Sequence, residues 1–319
     1  MKKITAAALA AALLLALTAC GTAAETETDR SLKIVTTIFP EYDWTRELLG
    51  ENPAGAELTL LLQNGEDMNS YQDTVDLIVT ISSCDHFIYV GGDSDAWVDD
   101  ALREATNADM KVLNLLDILG DAAVEEELVE GMEGDADTGE AETDEHVWLS
   151  LRSAQLFCRE IAAALAELDP ADADVYSANL EAYIANLEQL DGEYSEAVAA
   201  AGGGTLLFAD RFPFRYLTED YDLEYFAAFA GCSAETQASF ETVVFLADKA
   251  DELGLPCVLI IDGSDGKLAE TVAANTQSGG KQILTLNSMQ SVTAEDIAGG
   301  ATYLSIMTDN LEVLKTALA

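Results

Sequence analysis

Between Asp169 and Gly204 the chain carries apolar side chains at Tyr176, Leu180, Tyr183, Ile184, Leu187, Leu190, Tyr194 and Val198. That spacing puts them on one stripe of an α-helix. Asp169-Pro170 supplies a helix start, with the Asp as N-cap and the Pro at the first helical position, and Gly202-Gly203-Gly204 supplies the stop. A helix over 170–200 would be about 46 Å long at 1.5 Å per residue. One small lobe has no use for such a length, so the stripe predicts a strut between two bodies.

Both flanks read as alternating strands and helices. Before the strut, β-branched or apolar runs at 31–39, 56–62, 86–92 and 111–116 alternate with helical patterns at 42–50, 73–82, 95–105 and 152–168. After it, runs at 205–209, 223–229, 257–262 and 281–286 alternate with helices after Pro213 and at 238–253, 267–274 and 303–318. Such alternation predicts an α/β fold of two lobes, each a mostly parallel sheet flanked by helices. The expected boundaries are 31–168 for the first lobe, 169–201 for the connecting helix and 202–319 for the second lobe. No sequence repeat relates the two.

A formal net charge of -44 argues against nucleic acid and anionic membrane surfaces as partners, and favours cations. Much of it lies in 121–145, where twelve acids occur without a Lys or Arg, so a disordered acidic loop is expected there. At the N-terminus, Lys2 and Lys3 precede an apolar run at 4–17 and the small-residue site Leu17-Thr18-Ala19-Cys20. This resembles a bacterial lipoprotein signal, which implies cleavage after residue 19, a lipid on the Cys20 thiol and an extracytoplasmic protein tethered through 20–30. Of the other cysteines, Cys84, Cys158, Cys232 and Cys257, none forms a CxxC, and no disulfide framework is expected.

Histidine is rationed to His86 and His146. His86 opens an apolar strand and reads as structural, whereas His146 stands in DEHVWLSL, where the acidic run meets a helix. In α/β sheets ligands bind beyond the carboxyl ends of strands. The acids and amides there are Glu66, Asp67 and Asn69 after the second run, Asp210 after 205–209 and Asp262 after 257–261. Imidazole with carboxylate and amide oxygen suits a borderline divalent cation such as zinc or manganese. No GxSxG, Walker loop or HExxH occurs, so no enzyme is expected.

The segments KIVTTIFPEYDWTRELLGE, DEHVWLSL, ADADVYSANLEAYIANLEQLD and ATYLSIMTDNLEVLKTAL, in that order, resemble the zinc/manganese-binding lipoproteins that serve as substrate-binding proteins of bacterial metal ABC transporters. The resemblance implies a metal cleft between two lobes, with the metal as transported ligand, delivery to a membrane permease, a lipid anchor and a monomer. It carries His146 over as a ligand and Asp262 as the acid of the second lobe. Asn69 stands where a histidine is usual. Asp210 is the nearest candidate for the third ligand, with Ala209 or Arg211 on another alignment. A site with one nitrogen and mainly oxygens is harder and less selective for zinc. The alternative reading is a degenerate paralogue without tight metal binding, acting as an accessory or adhesion lipoprotein.

Overall fold

A computed structural model describes residues 31–52, 55–63, 75–133, 143–233 and 237–319. Four strands, β1 (Lys33–Thr36), β2 (Glu57–Leu60), β3 (His86–Tyr89) and β4 (Lys111–Asn114), form a parallel sheet in the order β2-β1-β3-β4. Four more, β5 (Thr205–Phe212), β6 (Glu224–Ala230), β7 (Cys257–Ile261) and β8 (Gln282–Leu286), form a second in the order β6-β5-β7-β8. The two orders are the same once the numbering is shifted. Each sheet therefore reverses direction at one point, between β1 and β3 and between β5 and β7, despite the lack of a sequence repeat.

Alternate side chains of each strand face different cores, as the period of two requires. Ile34 and Ile88 of the first sheet, and Leu206, Phe208 and Leu259 of the second, enter one central core. Their neighbours Val35 and Phe87 pack outward under the helices Val75–Ser82 and Val98–Arg103. Leu207 and Val258 do the same under the helices Phe240–Glu252 and Lys267–Asn275.

The central core is filled by helices α1 (Phe39–Leu49), Leu151–Leu168, the long helix Ala173–Ala201 and the last helix, Tyr303–Ala317. The predicted stripe is the buried face of the long helix, from Tyr176 to Val198, with Leu180 partly buried against the same core. Asp43 of α1 accepts a hydrogen bond from Tyr303 N at 2.7 Å, at the positive end of the last helix. Trp44 lies with its ring 5.1 Å from that of Tyr303.

Several local expectations change. Pro40, directly after the first apolar run, sits in the first turn of α1, since a residue whose N–H is missing costs nothing there. Asp169 closes the preceding helix and accepts from the Tyr176 hydroxyl at 2.7 Å, and the long helix starts at Ala173. A short helix, Ala294–Ala298, was not expected. The acidic loop is corrected at both ends: Glu125 bridges Thr143, and Glu133 bridges Phe229 of β6. Main-chain groups supply those bonds, so the excess of charge does not prevent them. Residues 134–142 lie outside the described residues. Cys84, Cys158, Cys232 and Cys257 are free thiols.

Candidate metal-binding site

The carboxyl ends of the two sheets meet around His146. Gly91 and Gly92 follow β3 at φ 91° and 83°, and a Cβ on Gly92 would lie 2.3 Å from Glu145 Oε1. The glycines thus do more than stop a strand: they let Glu145 accept from Ser94 N at 2.9 Å, which fixes the approach to His146. Beyond His146 a turn of 3₁₀ helix, Val147–Leu149, leads to Ser150, the N-cap of the next helix. Trp148 in that turn donates from its indole to Ser288 O, just past β8, at 2.8 Å. The Tyr303 hydroxyl in turn donates to Trp148 O at 2.7 Å.

His146 is 0% exposed, and both ring nitrogens are engaged. Asp144 Oδ1 accepts from His146 N at 2.8 Å and lies 3.0 Å from Nδ1. A carboxylate at that distance holds the proton on Nδ1, so in the neutral ring Nε2 carries the lone pair. Gln290, from the loop after β8, brings its side-chain Nε2 to 3.1 Å from that lone pair. Burial disfavours the imidazolium, but the Asp144 charge and hydrogen bond, with the charges of Glu145 and Glu126, outweigh it and raise the pKa above 6.5. The ring lies 5.2 Å from that of Trp148. Gly231 closes the other side, where a Cβ would stand 3.0 Å from His146 Cε1 and 2.8 Å from Phe212 O.

The remaining predicted ligands do not gather on the imidazole. Asp262 follows β7, and its Oδ1 accepts from Ser288 N at 2.5 Å and from the Ser288 hydroxyl at 2.6 Å. Its Oδ2 accepts from Ser291 N at 3.0 Å and from the Ser291 hydroxyl. Those four donors make Asp262 the pin of the loop that carries Gln290. The Ser288 hydroxyl also lies 3.1 Å from Gln290 Oε1, which joins Asp262 to His146 through two side chains.

Asp210 lies within β5, at the irregularity between Phe208 and Arg211. Its Oδ1 accepts from Arg211 N at 2.9 Å and its Oδ2 from Ile261 N at 3.4 Å, so it stitches the bulge to the end of β7. Asn69, like Glu66 and Asp67, lies outside the described residues. Among the described residues no group of three or more His, Cys, Asp or Glu is arranged to hold a metal ion. Cys232 donates its N–H to Glu126 at 2.8 Å, and burial with the charges of Glu126, Asp144 and Glu145 pushes its thiol far up, so it stays protonated. His86 is buried with Nδ1 3.0 Å from Lys111 O, and burial lowers its pKa to about 4, so it stays neutral.

Gln290 and Asp144 were not expected. Asp144 is two residues from His146 in a run of acids, and only its geometry distinguishes it. Gln290 has no charge and belongs to no motif.

The family described as zinc-uptake complex component A, periplasmic, matches residues 34–317. The chain belongs to that family. It is similar to the zinc-binding lipoprotein AdcA of Streptococcus pneumoniae, with 29% identity over 99% of this chain and 61% of the relative. It thus spans about three fifths of that protein. The high-affinity zinc uptake system protein ZnuA of Bacillus subtilis is 27% identical over 97% of this chain and 95% of its own. Among solved structures, the Zn(II)-bound ZnuA-like domain of Streptococcus pneumoniae AdcA superposes with a TM-score of 0.71 at 27% identity, covering 91% of this chain and 99% of that domain. The metal-dependent lipoprotein YcdH from Bacillus subtilis gives 0.73 at 25% identity, over 91% and 100%. The two-lobed α/β fold is that of the zinc-uptake family.

Proposed function

We propose that the chain is an extracytoplasmic receptor that captures a zinc ion between its two halves and hands it to the permease of an ABC transporter. A lipid on Cys20 would hold it at the membrane. No helix among the described residues is long and apolar enough to cross one. The observation that carries this reading is the His146 ring, oriented by Asp144 and presenting Nε2 to Gln290 of the opposite half. A cation replacing that hydrogen bond would take Nε2 as its nitrogen ligand, with Gln290 Oε1 in reach after a turn of the amide. Asn69 and water can complete a set with one nitrogen. Asp262 then serves the site by holding the Gln290 loop, and Asp210 by shaping the end of β5. Family membership and the zinc-binding names of the relatives support zinc as the cargo over manganese.

Calorimetry on chelator-stripped protein lacking residues 1–21 tests this. One zinc ion per chain is expected, with binding abolished in His146→Ala and weakened about 10-fold in Gln290→Ala, since one oriented donor is worth ~1–2 kcal/mol. Manganese should compete poorly. Wild-type protein that takes up no zinc, or His146→Ala that takes it up unchanged, would sink the reading.

A further inference from the structure

Residues 123–133 leave the first half and run to β6, the edge strand of the second sheet. There Glu133 N donates to Ala228 O at 2.8 Å, and Glu133 O accepts from Ala230 N at 3.3 Å. The Glu133 carboxylate accepts from Ser239 N at 2.7 Å and from the Thr242 hydroxyl. Gly131 at φ 82° lies flat against the Phe245 ring, where a Cβ would stand 2.1 Å away. Nearer His146, Tyr225 donates its hydroxyl to Glu127 O at 3.2 Å, and Arg215 lies 3.5 Å from the Glu127 carboxylate.

One hydroxyl holds both legs of this segment. Tyr216 accepts from Val124 N at 3.2 Å and donates to Asp144 O at 2.9 Å. Asp144 N donates to Val124 O at 2.9 Å. The carboxylate that orients His146 therefore hangs from a main chain tied at Tyr216 and, nine residues beyond Val124, at Glu133.

We propose that residues 123–133 are a strap, that Glu133 and Tyr216 are positioning residues that keep it closed, and that its opening sets the rate at which zinc reaches and leaves His146. The inference rests on the receptor reading above. Two features favour the strap as the moving part. The imidazole is wholly buried, and on its Gln290 side the walls are apolar residues of the shared core, Ile38, Phe39, Leu62, Trp148 and Met289. On the strap side Glu126, Glu127 and Asp144 line a recess beside Gly231, with Arg215 the one basic group among its lining, and the excess of acids favours cations there. The strap joins β6 through a single bridge and side-chain bonds, so it opens at less cost than either sheet.

The test uses the full chain with Glu133→Ala and Tyr216→Phe. Hydrogen exchange on zinc-free protein should show the amides of Glu133 and Ala230 losing protection in Glu133→Ala. Stopped-flow transfer of zinc to a chromophoric chelator should run about 10-fold faster in each variant. Capture should accelerate in proportion, so that Kd by calorimetry moves less than about 3-fold. A merely structural role would lower the melting temperature and leave the two rates alone. A loosened strap with unchanged rates would overturn the inference while the receptor reading stands, whereas wild-type protein that takes up no zinc removes both. If Glu133→Ala fails to fold, Tyr216→Phe, which deletes one hydroxyl, carries the same comparison.

Discussion

The two sheets share a strand order, and each places carboxylates beyond its reversal point, yet they treat those groups in opposite ways. At the second sheet Asp262 receives four donors, two from Ser288 and two from Ser291. At the first, Glu41 Oε2 receives Thr37 N, the Thr37 hydroxyl and Ile38 N, but its Oε1 is buried without a partner. Burial, with the charge of Asp95 added, raises its pKa to about 8. Asp95 accepts from Gly91 N at 3.0 Å and is raised to about 7 by burial, with Glu145 contributing. One acid is a fastener, and the others are protons held in store. What separates them is donor placement together with burial: Glu41 is wholly buried and Asp95 nearly so, whereas Asp262 is only partly buried and has donors on both oxygens.

The contrast breaks most visibly at Asp262. Asp262→Ala leaves two main-chain and two hydroxyl donors without their acceptor, and should cost about 3–5 kcal/mol in urea denaturation. A loss below about 1 kcal/mol would mean that the Gln290 loop holds itself.

Glu41→Gln should act in the other direction. Between 4.5 and about 8 the folded chain keeps a proton that the unfolded chain releases. Stability from this group is therefore full in acid and falls by ~1.4 kcal/mol per pH unit as pH rises through that window. The amide removes the dependence, so Glu41→Gln should melt about 8 °C above wild type at pH 8 and level with it near pH 4.5. Equal melting at both values would refute the stored proton.

Asp95→Asn is the smallest and sharpest case. Its window runs from 3.8 to about 7, slightly shorter than that of Glu41, and an Asn oxygen keeps the Gly91 bond, so a gain of about 7 °C at pH 8 is expected. A loss instead would show that Asp95 is ionised and stabilised by its backbone donors.

The fold was legible because hydrophobic period survives in the sequence. The stripe from Tyr176 to Val198 named its own buried face, and the β-branched runs named their strands. The candidate site was legible only in part. His146 stood out by rarity, and the structure holds its ring between Asp144 and Gln290. Asp262 and Asp210 stood at strand ends, where a ligand and a loop pin have the same address, and only their partners tell them apart. Gln290 reaches His146 across 144 positions, a contact that no local pattern encodes. The strap was read as disorder because its bonds come from main-chain atoms, which composition does not describe.

The bond from Asp43 to Tyr303 spans 260 residues. Trp44 and Phe157 of the first half also pack beside it in the shared core. Under the extracytoplasmic receptor reading, a chain emerging N-terminus first across a membrane cannot complete its first half until Tyr303 has followed. Folding of this protein should be slow and governed by that late closure, with its early portion open to proteases and to chaperones on the far side for the whole of its passage.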